Sequence, residues 1–181
     1  MYGDTEQSTY GALEQLADGR WQLRYTRRLP HPVELVWRAL TESDHLEHWF
    51  PSTIDGDRAA GAALRFTFPA GEAPPMHGIM LAYEPESLME FQWGPDVVRL
   101  QLRSDGPDST VLELYDTLEE RGKGARDGAG WHVCLDALEA HLRGEPDARE
   151  AMEDWKRVHT RYVESFGPAA ATVGPPEGFE S

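Results

Sequence analysis

Cysteine, basic charge and unbroken apolar sequence are all scarce in this chain. Cys134 is the only cysteine in 181 residues, so no disulfide forms within the molecule. Lys and Arg number 17 against 32 Asp and Glu, a formal charge of −15. A surface of that sign repels polyanions and lacks the counterion release that drives nucleic-acid binding, so neither nucleic acid nor an anionic membrane is expected as a partner. No run approaches the roughly eighteen apolar residues of a membrane-spanning helix. Met1 to Asp18 is acidic and has no apolar signal core, and a cytoplasmic protein is the expectation. A hydrophobic content of 40% suits one domain with a real core.

What is present is a sharp change of period. Asp18-Gly19 is a two-residue hairpin signal between Tyr10–Leu16 and a strand that places Trp21, Leu23, Tyr25 and Arg27 on one face. Pro30 and Pro32 stop that strand, and Pro32 suits the first position of a helix, where its missing N–H costs nothing. Val33, Val36, Trp37 and Leu40 then follow at i, i+3, i+4 and i+7. A second short helix, capped by Ser43, brings Leu46, Trp49 and Phe50 to one face and ends at Pro51.

From Thr53 to Leu118 the period is two, and glycine and proline breaks leave room for six strands. Leu64, Phe66 and Phe68 share a face, as do Met89, Phe91 and Trp93, then Val98, Leu100 and Leu102, then Leu112 and Leu114. Charged and amide residues fill the opposite faces, the pattern of an antiparallel sheet with one wet side. The strand through His77, Ile79, Leu81 and Tyr83 is apolar on both faces and reads as central. Gly122 to Gly128 reads as a flexible connector; it lacks the Gly-Lys-Ser/Thr ending of a phosphate loop. Trp131, Cys134, Leu135, Leu138 and Leu142 form a long helical stripe stopped by Gly144 and Pro146. A last helix follows Asp147 and Glu150, spaced as a capping box, and carries Met152, Trp155, His159, Tyr162 and Phe166. Trp155 and Tyr162 have two places to pack, the sheet or a second subunit, so a homodimer stays open. The order of elements predicts an α+β fold, a curved antiparallel sheet gripping the long helix. It forms one domain over 10–166, with a flexible N-terminus over 1–9 and a flexible tail over 167–181.

Asp18-Gly19-Arg20-Trp21, Leu29-Pro30-His31-Pro32 leading into Val36-Trp37-Arg38-Ala39-Leu40-Thr41, His45-Leu46 with Trp49-Phe50, and Gly130-Trp131-His132 before Leu135 and Leu138 together resemble the SRPBCC (START/Bet v 1-like) superfamily. Within it, the chain resembles the bacterial branch named after the C-terminal domain of the Hsp90 ATPase activator Aha1. The resemblance runs from about residue 10 to 166. It implies a helix-grip fold with a deep cavity between sheet and long helix, suited to hydrophobic or aromatic small molecules. The separate Hsp90-binding domain of the eukaryotic co-chaperone has no counterpart here, and an Hsp90-type partner is not expected.

The expected ligand-binding residues are Trp49, Phe50, Phe66, Phe68, His77, Phe91, Trp93, Leu100, Leu102, Leu112, Leu114, Trp131 and Leu135, an apolar surface with one polar group. His77, Tyr115, Asp116 and His132 are the groups available for acid–base work, since burial moves the pKa of a carboxylate or a histidine toward the working pH. They support an alternative reading as a cyclase- or aromatase-like enzyme; a chaperone accessory is the third. His45 and His48, at i, i+3, are too few for a metal site, Cys134 reads as core, and no cofactor is expected.

Overall fold

In a computed structural model, which describes residues 9–69 and 73–175, Asp18-Gly19 turns the first hairpin as its sequence predicts. Gly19 takes φ 93°, and its N–H reaches the Leu16 carbonyl at 2.9 Å, closing β1 (Ala12–Gln15) onto β2 (Trp21–Leu29). Along β2, Leu23, Tyr25, Arg27 and Leu29 are buried while Arg24, Thr26 and Arg28 face solvent. Helix α1 (Val33–Thr41) buries Val36, Trp37, Ala39 and Leu40. Pro32 stands one place earlier than predicted, as the N-cap with extended backbone. Glu42, not Ser43, precedes α2 (Ser43–Leu46), and no side chain caps it. Turns then carry the chain to Phe50, whose N–H bonds the Leu46 carbonyl at 2.8 Å.

Strands β3 (Ala63–Phe66), β4 (Met76–Glu84), β5 (Leu88–Trp93), β6 (Asp96–Ser104) and β7 (Thr110–Leu118) complete a seven-stranded antiparallel sheet in the order β1-β2-β7-β6-β5-β4-β3. Among the described residues, Thr53–Leu118 thus holds five strands rather than six. Pro51 and Gly56 bracket a segment too short for a ladder, and Asp55 makes only an isolated bridge to Arg65. The centre of the sheet is β6, and β4 is next to the edge. The outward face of β4 has no layer over it, so His77 is exposed and Ile79 and Leu81 are 45% and 42% exposed.

The stretch expected as a flexible connector is ordered. A 3₁₀ turn (Arg121–Lys123) runs directly into α3 (Gly124–Leu142), with Gly122, Lys123, Gly124 and Gly128 buried. The glycines allow close approach: a Cβ on Gly128 would lie 3.3 Å from the rings of Tyr162 and Phe166. The inward stripe Trp131, Cys134, Leu135 and Leu138 is buried against the sheet, and Gly144 at φ 82° ends the helix. Ala148–Asp154 is a 3₁₀ segment without the predicted side-chain cap, and α4 (Trp155–Phe166) follows. Trp155 and Tyr162 are buried within this chain, and Tyr162 packs on His132 of α3. Residues 167–175, expected to be loose, form a 3₁₀ turn at Pro168–Ala170. Ala170 is buried there, and the Val173 N–H bonds the Gly122 carbonyl at 3.1 Å. The ends expected to be flexible over 1–8 and 176–181 lie outside the described residues. The architecture is the α+β helix grip. Among the described residues no helix is long and apolar enough to cross a membrane.

Gly78 of β4 sits where a Cβ would be 2.3 Å from the Gln92 carbonyl oxygen of β5. Gly78→Ala therefore forces the two strands apart and lowers stability by about 1–3 kcal/mol, read by urea denaturation.

Candidate functional site

Aromatic residues from four elements converge where the sheet opens over the start of α3. Trp93 ends β5 at the hairpin to β6, and its ring centroid lies 4.9 Å from Phe66, 5.4 Å from Phe50, 5.7 Å from Trp131 and 5.8 Å from Phe68. Phe50, Phe66 and Phe91 are wholly buried beneath it, each contributing roughly 1.5–3 kcal/mol. Trp49, also wholly buried, donates its indole N–H to the Ala39 carbonyl at 2.8 Å and locks the turn after α2 onto α1. Above this layer lies an open groove of about 350 Å³. Phe68, Met76 and Trp93 form its sheet wall, Asp127, Gly130, Trp131 and Cys134 its helix wall, and Pro51 and Trp155 its rim. A second groove, also about 350 Å³, lies on the other side of Pro51 and Phe68.

Of the residues predicted to contact a ligand, Phe68, Trp93 and Trp131 reach the groove. Trp49, Phe50, Phe66, Phe91, Leu100, Leu102, Leu112, Leu114 and Leu135 point inward as expected but are buried in the core cluster and do not line it. His77 is on the outward face of β4, away from it. The deep cavity implied by the resemblance is thus replaced at this end by packed aromatics with open space at the mouth. Pro51, Met76, Asp127, Cys134 and Trp155 were not foreseen as lining. Asp127 sits in the segment read as a connector, and nothing in its local pattern announces a wall.

Behind the helix wall lies a buried polar cluster. Lys123 Nζ donates to both oxygens of Asp96, at 2.8 and 2.9 Å, with both side chains almost fully buried. One carboxylate oxygen from each of Asp96, Asp116 and Asp127 lies within 4.8 Å of the other two. Asp116 is wholly buried; its Oδ2 accepts the Trp131 indole N–H at 2.8 Å, and its Oδ1 has no hydrogen-bond partner. Asp127 Oδ1 accepts from Arg126 Nε at 2.8 Å. Burial, reinforced by the charges of Asp96 and Asp127, pushes the Asp116 carboxyl well above the usual carboxylate range. Burial also raises Asp127, against the opposing pull of Arg126 and Lys123. The trio is the one group of such side chains among the described residues whose ligand atoms converge, and the cation already seated in it is the Lys123 ammonium.

The remaining candidates separate. His132 Nδ1 is 2.9 Å from the Tyr162 hydroxyl and its Nε2 is 3.4 Å from Asp136, which also receives the buried Arg27 at 2.9 Å. Burial alone would raise Asp136, but the hydrogen bond of His132 and the charge of Arg27 hold it below the usual value. This seam joins α3 to β2 and α4, and His132 does not meet Asp116. Tyr115 points to the outer side of the sheet and pairs with Glu113. His45 and His48 gain a third imidazole that sequence spacing did not reveal. His141 at the end of α3 lies 2.9 Å from His45 Nδ1 and stacks on His48 with centroids 4.6 Å apart. Burial pushes the Cys134 thiol up to about 12, so it is no thiolate at neutral pH.

A carboxyl whose pKa is raised on folding holds in the native state a proton that the unfolded chain releases. Its contribution to stability therefore falls as pH rises from the ordinary carboxylate value toward the raised one. Asp116→Asn, which keeps an acceptor for Trp131, is expected to leave the melting temperature at pH 8 equal to or above that of the unsubstituted protein. It also flattens the melting-temperature profile above pH 4, measured by differential scanning fluorimetry. Lys123→Met strips the cation from the buried Asp96 carboxylate and costs about 3–5 kcal/mol in denaturant unfolding, most at the alkaline end.

The fold recurs in solved proteins. A structure of a conserved protein, EF2215 from Enterococcus faecalis, superposes with a TM-score of 0.73 at 21% identity, covering 89% of this chain and 92% of that one. The crystal structure of CalU16 from Micromonospora echinospora aligns at TM-score 0.67 and 27% identity over 90% of this chain and 98% of that one. DynU16, a protein of the dynemicin biosynthetic locus, aligns at TM-score 0.61 and 25% identity over 71% of this chain and 49% of that one. No curated protein matches the chain. The family model for the Activator of Hsp90 ATPase homolog 1-like protein matches residues 30–143, more than half of the sequence, and the chain belongs to that family.

Proposed function

We propose that the protein binds an apolar aromatic small molecule in the groove between Trp93 and Trp131. The observation that carries this reading is the pair of indoles at the groove, their centroids 5.7 Å apart, beside about 350 Å³ of open space. Flat aromatic faces suit offset or edge contact with a planar ligand, and a concave, mainly apolar wall with few polar groups is the usual form of a small-molecule site. The layer of Phe50, Phe66 and Phe91 underneath is tightly packed, so the groove is a preformed surface rather than one that must collapse around its ligand. DynU16 and its biosynthetic locus fit a role in handling small molecules, and the similarity at 25% identity supports that class without naming a ligand. Binding by burial is the reading retained over a cyclase-like one, because His132 and Asp116 lie apart, His77 faces away from the groove and the Cys134 thiol stays protonated.

Isothermal titration with 2-methylnaphthalene tests this. Saturable binding is expected, and Met76→Trp, which fills the groove from its partly exposed sheet wall, weakens it at least about tenfold while the melting temperature holds. If 2-methylnaphthalene and larger fused-ring probes give neither binding heat nor a melting shift, the proposal is overturned.

A further inference from the structure

The groove has one polar end, and the charges gathered there leave a remainder. Asp96, Asp116 and Asp127 bring three carboxyl groups together, and two cations serve them. Lys123 holds both oxygens of Asp96, and Arg126 holds one oxygen of Asp127. Asp116 has no cation of its own, is wholly buried, and keeps Oδ1 without a partner among neighbours that are themselves acceptors. A buried, unpaired charge costs several kcal/mol, whereas a neutral acid turns the orphan acceptor into a donor in a cluster where carboxylate oxygens lie within 4.8 Å of one another. With Asp116 neutral, two carboxylates face two cations and the cluster balances. Trp131, whose N–H bonds Asp116 from one side while its ring lines the groove on the other, ties this cluster to the binding surface.

Asp127 is the member of the trio that lines the groove, and its side chain is 18% exposed. No hydrogen bond among the described residues occupies its Oδ2. The groove therefore ends in a carboxylate acceptor backed by a neutral acid and flanked by Arg126 and Lys123. A cationic amine would meet Arg126, which also lines the groove, and an anionic ligand would meet Asp127 itself. A neutral O–H donor meets neither obstacle.

We propose that the groove selects an aromatic molecule bearing a hydroxyl group, a phenol, whose hydrogen the Asp127 carboxylate accepts while its ring lies against Trp93 and Trp131. This rests on the reading that the groove binds aromatic molecules, and it adds the functional group that the ligand must carry. A hydrogen bond to a charged acceptor, made in a half-buried site, is worth tenfold or more in affinity. Asp127 is a specificity-determining residue in this arrangement. Arg126 holds it in place through the other carboxylate oxygen.

Three probes of nearly one shape separate the outcomes by isothermal titration: 2-naphthol donates a hydrogen bond, 2-methoxynaphthalene only accepts one, and 2-methylnaphthalene does neither. The expected result is 2-naphthol at least about tenfold tighter than the other two. Asp127→Leu should abolish that preference while keeping the affinity for 2-methylnaphthalene. Equal affinities for 2-naphthol and 2-methylnaphthalene overturn the phenol inference and leave aromatic binding standing. A preference for 2-methoxynaphthalene assigns the polar end to a donor such as Arg126 and overturns it as well. If none of the three binds, the reading beneath it falls too. The comparison on the unsubstituted protein decides the matter even if Asp127→Leu does not fold. A preference that survives in folded Asp127→Leu removes Asp127 from the role.

Discussion

The buried pair between Lys123 and Asp96 decides where the long helix begins and how it meets the sheet. Asp96 starts β6, the central strand, and Lys123 is the last residue before α3. Taking both charges out of water is costly, and the cost is recovered only at the observed geometry, with the ammonium on both carboxylate oxygens and the Glu119 N–H on Asp96 as well. Apolar packing of Leu135 and Leu138 would tolerate small slides of the helix; this pair does not. It therefore sets the position of Gly130, Trp131 and Cys134 over the sheet mouth.

At the other end of the contact Arg27 plays a comparable part. It projects from the inward face of β2, where an apolar residue would be usual, and reaches Asp136 and Glu139 of α3 and the Thr9 carbonyl. Next to it the Tyr162 hydroxyl accepts the Gly11 N–H and contacts His132, so the first residues of the domain, the long helix and the last helix share one polar seam. Between these two anchors the interface is apolar. The open groove lies at the Lys123 end, beside the cluster whose charges need balancing, and the seam at the Arg27 end closes the molecule.

Much of the fold was legible because its determinants are local. The positive φ that Asp18-Gly19 supplies, the i, i+3, i+4, i+7 stripes of α1 and α3, and the period-two faces of β5, β6 and β7 each lie within a few residues of one another. The readings that differed had a common source. The β4 strand looked central because Ile79 and Leu81 are apolar, but strand order depends on which elements pair, and the sheet left that face uncovered. Gly122 to Gly128 looked flexible because glycines carry no local preference for a helix. Their reason is the close approach of Tyr162, Phe166, Ala170 and Thr172, residues 34 to 50 positions away.

The site divides in the same way. Sequence by itself determined that Phe66, Phe91, Leu100, Leu102, Leu112 and Leu114 turn to one side of the sheet, since alternation forces it, and that Trp131 lies on the inward stripe of a long helix. It also determined the excess of acidic over basic residues. Only the tertiary structure decided that most of these side chains pack against one another and that Trp93, Trp131 and Phe68 of the predicted set line the groove. The gathering of Asp96, Asp116 and Asp127 around Lys123 was likewise invisible, because the four come from two strands, a turn and a helix. Which buried carboxyl keeps a proton is a property of the charges that surround it in space, and sequence distance carries no record of them.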